Sequence, residues 1–235
     1  MYNSAEFKVC GPSALFSDPV TRIGGEKSSY MVPSYQALIG VADGVYFKPT
    51  FHYFIDEVRI MKPIRMQTKA STYKTYSEND GDLVIYTYLK DVEYRVKCHF
   101  EWNMARTDLQ DDRDDRKHHN ILQRYLKKGG KRDIFLGTRE CAGYVEPCDF
   151  NEGTGAYDQV ELIDFGVMFH GFNYPNAEKQ KLTARFWRAK MEYGIIRFPR
   201  PEDCDSHLTR EIRDYKYKII NSSPERKSFE NEDVL

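Results

Sequence analysis

Residues 111–141 read DDRDDRKHHNILQRYLKKGGKRDIFLGTREC. Four acids lead the stretch, at Asp111, Asp112, Asp114 and Asp115. Lys117, His118 and His119 follow on adjacent positions. Ile121, Leu122 and Tyr125 are spaced as one face of a helix. The run closes on Lys127, Lys128, Gly129, Gly130, Lys131 and Arg132. Acids ahead of the apolar face and lysines behind it suit the helix dipole, and a glycine pair is a natural stop. The pattern predicts one helix with Lys117 and His118 in its first turns. A lysine there opposes the dipole, unless an anion sits beside it and shares the backbone N–H groups. A histidine at that end is biased to the neutral form, which is the form a general base needs. The plain alternative is a solvated helix face.

Immediately upstream, Val92, Tyr94, Val96, Cys98, Phe100 and Trp102 alternate over six positions, the clearest strand signal in the chain. Further back, residues 6–10 (EFKVC) read as a first strand. Pro33 and Ser34 open a helix whose apolar face is Tyr35, Leu38, Ile39, Ala42 and Val45, with Ser34 as N-cap. Tyr46 follows it, and Pro49 blocks continuation. Phe51, Tyr53 and Ile55 alternate, but Val58 and Ile60 are one position out of step, which predicts a bulge near Asp56 and Glu57. Residues 62–90 read as an inserted basic hairpin with a mobile polar tip. Downstream of the central stretch comes a short strand near residues 144–150.

The order strand, helix, strand, strand, helix, strand predicts an α+β chain with a ferredoxin-like, RNA-recognition-type domain over residues 1–150. Residues 151–220 read as a small, mostly β region, with a hairpin turn at Glu192, Tyr193 and Gly194. Residues 221–235 are charged, weakly periodic and expected to be disordered.

The 235 residues carry a net charge of −1, so any nucleic-acid surface must come from clustered cations rather than a global basic field. Arg22, Lys27, Arg59, Lys127, Lys128, Lys131 and Arg132 are the candidates. The five cysteines show no CxxC spacing, which argues against structural zinc. Their odd number, without a signal peptide, points to a reducing cytoplasm. No apolar run is long enough for a membrane span, no two-metal carboxylate pair stands out, and no cofactor motif is found.

On a ferredoxin-like fold the end of the first helix can meet the start of the second. That would gather Tyr46, Lys117 and His118, a set suited to cutting RNA without a metal. The 2′-OH attacks the adjacent phosphorus. A base takes its proton, an acid protonates the 5′-oxygen, and a cation steadies the developing charge. His118 suits proton transfer and Lys117 suits charge stabilisation. Tyr46 could position the substrate or share the proton. With 17 tyrosines in the chain, the plain reading of Tyr46 is a core-edge residue.

Several longer motifs then carry a resemblance: FSDPVTRIGGEKSSYMVPSYQAL, VYFKPT, RKHHNILQR, KRDIFLGTREC, GYVEPCDF, HGFNYP and FPRPEDC. Together they resemble the CRISPR-associated Cas5 family of the Dvulg subtype (subtype I-C), from about Phe7 to Cys204. The resemblance implies metal-independent cleavage of precursor CRISPR RNA within its repeat stem-loop, with Tyr46, Lys117 and His118 as the site. It also implies retention on the 5′ handle, inside a surveillance complex with backbone and large subunits. Two other readings stand beside it. One is a handle-binding assembly subunit that does not cut. The other is a metal-dependent nuclease acting on DNA.

Overall fold

The computed structural model describes residues 2–17, 26–74, 81–174 and 181–214. Arg22, the polar hairpin tip and the expected disordered tail lie outside them.

In chain order the elements are β1 (Ser4–Ala14), α1 (Tyr35–Val45), β2 (Phe51–Ile60), β3 (Met66–Lys74) and β4 (Gly81–Trp102). A 3₁₀ turn (Thr107–Asp112), α2 (Asp115–Lys127), β5 (Ile134–Phe135) and β6 (Ala142–Pro147) follow. The chain continues with β7 (Ile163–Asn173), β8 (Lys181–Glu192), β9 (Ile195–Arg197) and β10 (Thr209–Asp214). Among the described residues the architecture is α+β: two α-helices on a ten-stranded sheet whose strand pairs are all antiparallel. The strand order is β10-β8-β9-β2-β4-β1-β6-β5, with β3 added on β4 and β7 on β8.

Local chemistry explains the boundaries. Ser34 accepts from the Ala37 N–H at the head of α1, and Asp114 accepts from the Lys117 N–H at the head of α2. After α2, Gly129 and Gly130 take φ of 83° and 108°, and their N–H groups return to the carbonyls of Leu126 and Tyr125. The β2–β4 register slips between Ile55 and Glu57, where the change of apolar phase predicts a bulge. The β8–β9 turn is Tyr193-Gly194, with both residues at positive φ as a type I′ hairpin requires.

Two features depart from expectation. The inserted hairpin and the alternating strand share one 22-residue strand, β4, which bends at Asp91 (φ 53°). Its first half pairs with β3, its second half with β2, and Leu89 to His99 pair with β1. Also, the strands after residue 150 enter the same sheet, because β9 hydrogen bonds to β2.

Arg59 shows what fastens this second part to the first. It was expected on an RNA face, but it is buried. Its guanidinium donates to the carbonyls of Phe150, Asn151, Glu152 and Gly153 and pairs with Asp158 at 2.6 Å. With these partners its donors face inward, so the structure gives it an architectural role. Arg95 reinforces the same loop through the carbonyl of Asp149.

Arg59→Ala would leave these carbonyls and the Asp158 carboxylate without their donor. We expect a loss of about 3 kcal/mol in chemical denaturation, and Arg59→Lys should recover only a minor part because an ammonium cannot reproduce the fork. Unchanged stability in Arg59→Ala would show that the network contributes nothing.

Candidate active site at the junction of the two helices

The site begins with the end of α1. Tyr46 caps that helix: its N–H donates to the Ala42 carbonyl, and its own carbonyl accepts from the Tyr53 hydroxyl at 2.8 Å. These bonds fix its backbone. The ring then lies among Phe51, Tyr125 and His118, with centroids 5.7 to 6.0 Å away. Residues 131 and 132 close the arrangement from behind, because their N–H groups cap the Gly44 carbonyl at 3.2 and 3.0 Å.

The second contributor is the first turn of α2. His118 is fully buried, at 0% exposure, on an aromatic floor made by Phe51 of β2 and by Phe100 and Trp102 of β4. Its Nδ1 lies 2.9 Å from the Tyr46 hydroxyl, and its Nε2 lies 2.7 Å from the backbone carbonyl of Asp112. A carbonyl can only accept, so Nε2 carries the hydrogen. Nδ1 then presents its lone pair to the Tyr46 hydroxyl, which donates. Burial, with the nearby Asp112 charge and Tyr125 as smaller causes, pushes the Tyr46 phenol up to about 12. It therefore keeps its proton at neutral pH and serves as the donor of the pair.

Lys117 is exposed one position earlier, and its ammonium pairs with Asp112 Oδ1. The other Asp112 oxygen accepts from the Thr50 hydroxyl at 2.8 Å and lies 3.8 Å from Lys48 Nζ. The structure thus brings Tyr46 and His118 into contact and links Lys117 to them through Asp112. The carboxylate, Thr50 and the aromatic floor had been missed by sequence reasoning. The only available signal was an acid five residues before Lys117. His119 points elsewhere, with its ring 5.9 Å from that of Tyr2. His170, read as structural, is buried against Tyr35, donates to the Pro199 carbonyl and is pushed down to about 4, mainly by burial.

Of the candidate cations, Lys127, Lys128, Lys131 and Arg132 are exposed at the far end of α2 and in the loop after it. Lys131 lies over the Tyr125 ring and Arg132 over Phe47, so this strip flanks Tyr46. Lys27 is elsewhere, over Tyr86 of the β3–β4 hairpin. Among the described residues, no group of three or more His, Cys, Asp or Glu side chains is placed to hold a metal ion, and no helix is long and apolar enough to cross a membrane.

The Lys117 hydrogen bond, opposed by partial burial and aided by Thr50, holds the Asp112 carboxyl down at about 2. A lowered folded-state value means stability that is present above the unfolded aspartate range and is lost as pH falls towards 2. A carboxyl-carbon NMR titration should therefore place Asp112 near 2; a midpoint in the free-aspartate range would contradict the ion pair.

Comparisons with known proteins bear on the family of the chain. The family described as "CRISPR-associated protein (Cas_Cas5)", Cas5d type, matches residues 5–199. A protein of Mannheimia succiniciproducens named CRISPR pre-crRNA endoribonuclease Cas5d is 25% identical over 225 residues, spanning 85% of this chain and 96% of that protein. A protein of the same name from Thermus thermophilus is 30% identical over 174 residues, spanning 68% of this chain and 69% of that protein. The crystal structure of a functionally uncharacterized protein from Streptococcus mutans superposes with a TM-score of 0.70 at 40% identity. It covers 86% of this chain and 95% of that one. With the family match running through both helices and on to β9, the chain belongs to the Cas5d family of CRISPR-associated proteins.

Proposed function

We propose that this protein is an endoribonuclease that cleaves precursor CRISPR RNA within the repeat stem-loop, without a metal, through Tyr46, Lys117 and His118. The observation that carries the reading is the buried hydrogen bond between the Tyr46 hydroxyl and His118 Nδ1. The relatives named as pre-crRNA endoribonucleases support the activity class. The β2-β4-β1-β6 strand order, with α1 after β1 and α2 after β4, supports a ferredoxin-like unit over residues 1–150 carrying the site. On this reading residues 151–220 form a smaller β region that extends the same sheet.

In the reaction, the 2′-OH proton passes to His118 Nδ1 by way of the Tyr46 hydroxyl. The bond between the 2′-oxygen and phosphorus forms as the bond to the 5′-oxygen breaks. The Lys117 ammonium leaves Asp112 for the phosphate and steadies its added negative charge. The proton taken up by His118 is then returned through the Tyr46 hydroxyl to the departing 5′-oxygen, so the pair ends in its starting protonation state. Lys127, Lys128, Lys131 and Arg132 hold the RNA backbone, which positions the strand without reading its sequence. After cleavage the protein stays on the 5′ handle, as a cytoplasmic subunit of a type I-C surveillance complex with the backbone and large subunits.

One observation favours a second reading, a handle-binding subunit that does not cut. Tyr46 and His118 are both buried. Cleavage therefore requires the groups that cover them to yield when RNA binds.

Repeat RNA incubated with protein in EDTA separates these readings. Cleavage should persist in EDTA and stop when the cut nucleotide is 2′-deoxy. His118→Ala should bind RNA but cut about 10²-fold more slowly or worse. Binding without cleavage by the unmodified protein would establish the assembly role instead. Cleavage that needs metal and ignores the 2′-OH would point to the nuclease acting on DNA.

Replacing Lys127, Lys128, Lys131 and Arg132 with alanine should weaken binding across all RNA sequences and flatten its salt dependence, with little change in the rate of bound substrate. Binding affinity and single-turnover rates, measured over a series of salt concentrations, test this.

A further inference from the structure

We propose that Asp112 is a positioning residue for the cleavage reaction. Its backbone carbonyl holds His118 in the Nε2–H tautomer, and its carboxylate faces the imidazolium that forms when Nδ1 takes a proton. Asp112 has this role only if the Tyr46–Lys117–His118 reading above holds.

The argument starts from the ring nitrogen that does not touch Tyr46. Among the described residues, the polar neighbours of His118 Nε2 both belong to Asp112: the carbonyl at 2.7 Å and carboxylate Oδ2 at 3.5 Å. The first is a hydrogen bond and decides which nitrogen is free to accept. If the hydrogen moved to Nδ1, two lone pairs would face each other across 2.7 Å, and Nδ1 would lose its capacity as a base. The second lies beyond hydrogen-bond range but close enough for charge. It does little for a neutral ring and favours a protonated one, so it acts when the proton arrives. The aromatic floor under the ring excludes water from that side and strengthens the effect.

Asp112 is itself well held. Thr50, just before β2, donates to Oδ2, Lys117 pairs with Oδ1, and Lys48 approaches Oδ2. The Asp114 N–H bonds to the Asp112 carbonyl at 3.0 Å. The next residue, Arg113, donates to the carbonyls of Asn103 and Arg106, each at 3.1 Å, and so braces the 3₁₀ turn against the end of β4. A residue needed only to close this turn could serve Thr50 with a neutral amide. Here the second oxygen and the charge are directed at Lys117 and His118.

Three variants test the assignment. In Asp112→Asn the side chain can still accept from Thr50 and the carbonyl is kept, so the tautomer persists while the charge is lost. Asp112→Ala loses the Thr50 anchor as well, and Thr50→Val loses the anchor while keeping the charge. Single-turnover cleavage of repeat RNA should slow about 10-fold in Asp112→Asn and up to about 100-fold in Asp112→Ala. RNA affinity should hold or rise in both, since Lys117 is freed. Long-range proton–nitrogen NMR on histidine-labelled protein should show His118 protonated at Nε2 in the unmodified chain and in Asp112→Asn. Where the Thr50 anchor is lost, in Asp112→Ala and Thr50→Val, the turn and its carbonyl are freer to move and the population should be mixed. Wild-type rates in both Asp112 variants would overturn the assignment. So would slow variants whose defect lies wholly in RNA affinity, or an unmodified protein whose His118 is protonated at Nδ1. If His118→Ala cleaves at the wild-type rate, the underlying site reading fails first. If His118→Ala is inactive while the Asp112 variants are normal, only the Asp112 role fails. Should Asp112→Ala lose its thermal transition, Asp112→Asn and Thr50→Val decide.

Discussion

The antiparallel ladder along β4 is the constraint on which the rest of this molecule depends. Its register with β1 is continuous from Ser4↔His99 to Gly11↔Val92, and it carries β2 on its other edge and β3 at its far end. Because side chains alternate, one register places Val96, Cys98 and Phe100 in the core and leaves Lys97, His99 and Glu101 on the opposite face. A slip of one residue would exchange the two sets. The same register puts Phe51 opposite Trp102. These two rings, with Phe100, form the floor beneath His118, so the ladder fixes the site as well as the core.

On that floor, two helix ends meet. Ser34 and Asp114 set where the helices begin, while Gly129 and Gly130 set where the second one stops. The chain after α2 then turns back and caps the last carbonyls of α1. Tyr46 is therefore held by its own helix, by Tyr53 and by the loop that follows α2. Its hydroxyl reaches a histidine 72 residues away. Burial keeps the phenol protonated and sets the direction of the bond to His118. The charged part of the site is less enclosed: Lys117 is exposed and its partner Asp112 is only partly covered.

Charge is distributed to match. The exposed cations lie beside the site, in the last turn of α2 and the following loop, where the helix dipole also favours them. Arg59 and Arg95 are a different class. They are buried under residues 149–153 and fasten the later strands to the sheet. Composition cannot separate the two classes. A guanidinium that meets carbonyls and one that meets phosphate look the same in a sequence.

Periodicity, caps and turn residues by themselves determine much of the fold. The alternation at residues 92–102, the phase slip near Asp56, the Ser34 cap, the glycine stop after α2 and the Tyr193-Gly194 turn are local signals, and local backbone physics is enough to read them. The position of Tyr46 at one helix end and Lys117-His118 at another helix start was legible for the same reason. Tertiary structure decided what depends on distant partners. It merged the hairpin with the next strand into β4, because the bend at Asp91 is compatible with many sequences. It turned Arg59 inward, because only the fold brings the 150–153 carbonyls to it. It also made Asp112 the group that orients His118. Four acids stood together in the sequence, and only the path of the 3₁₀ turn chose which carbonyl faces the imidazole.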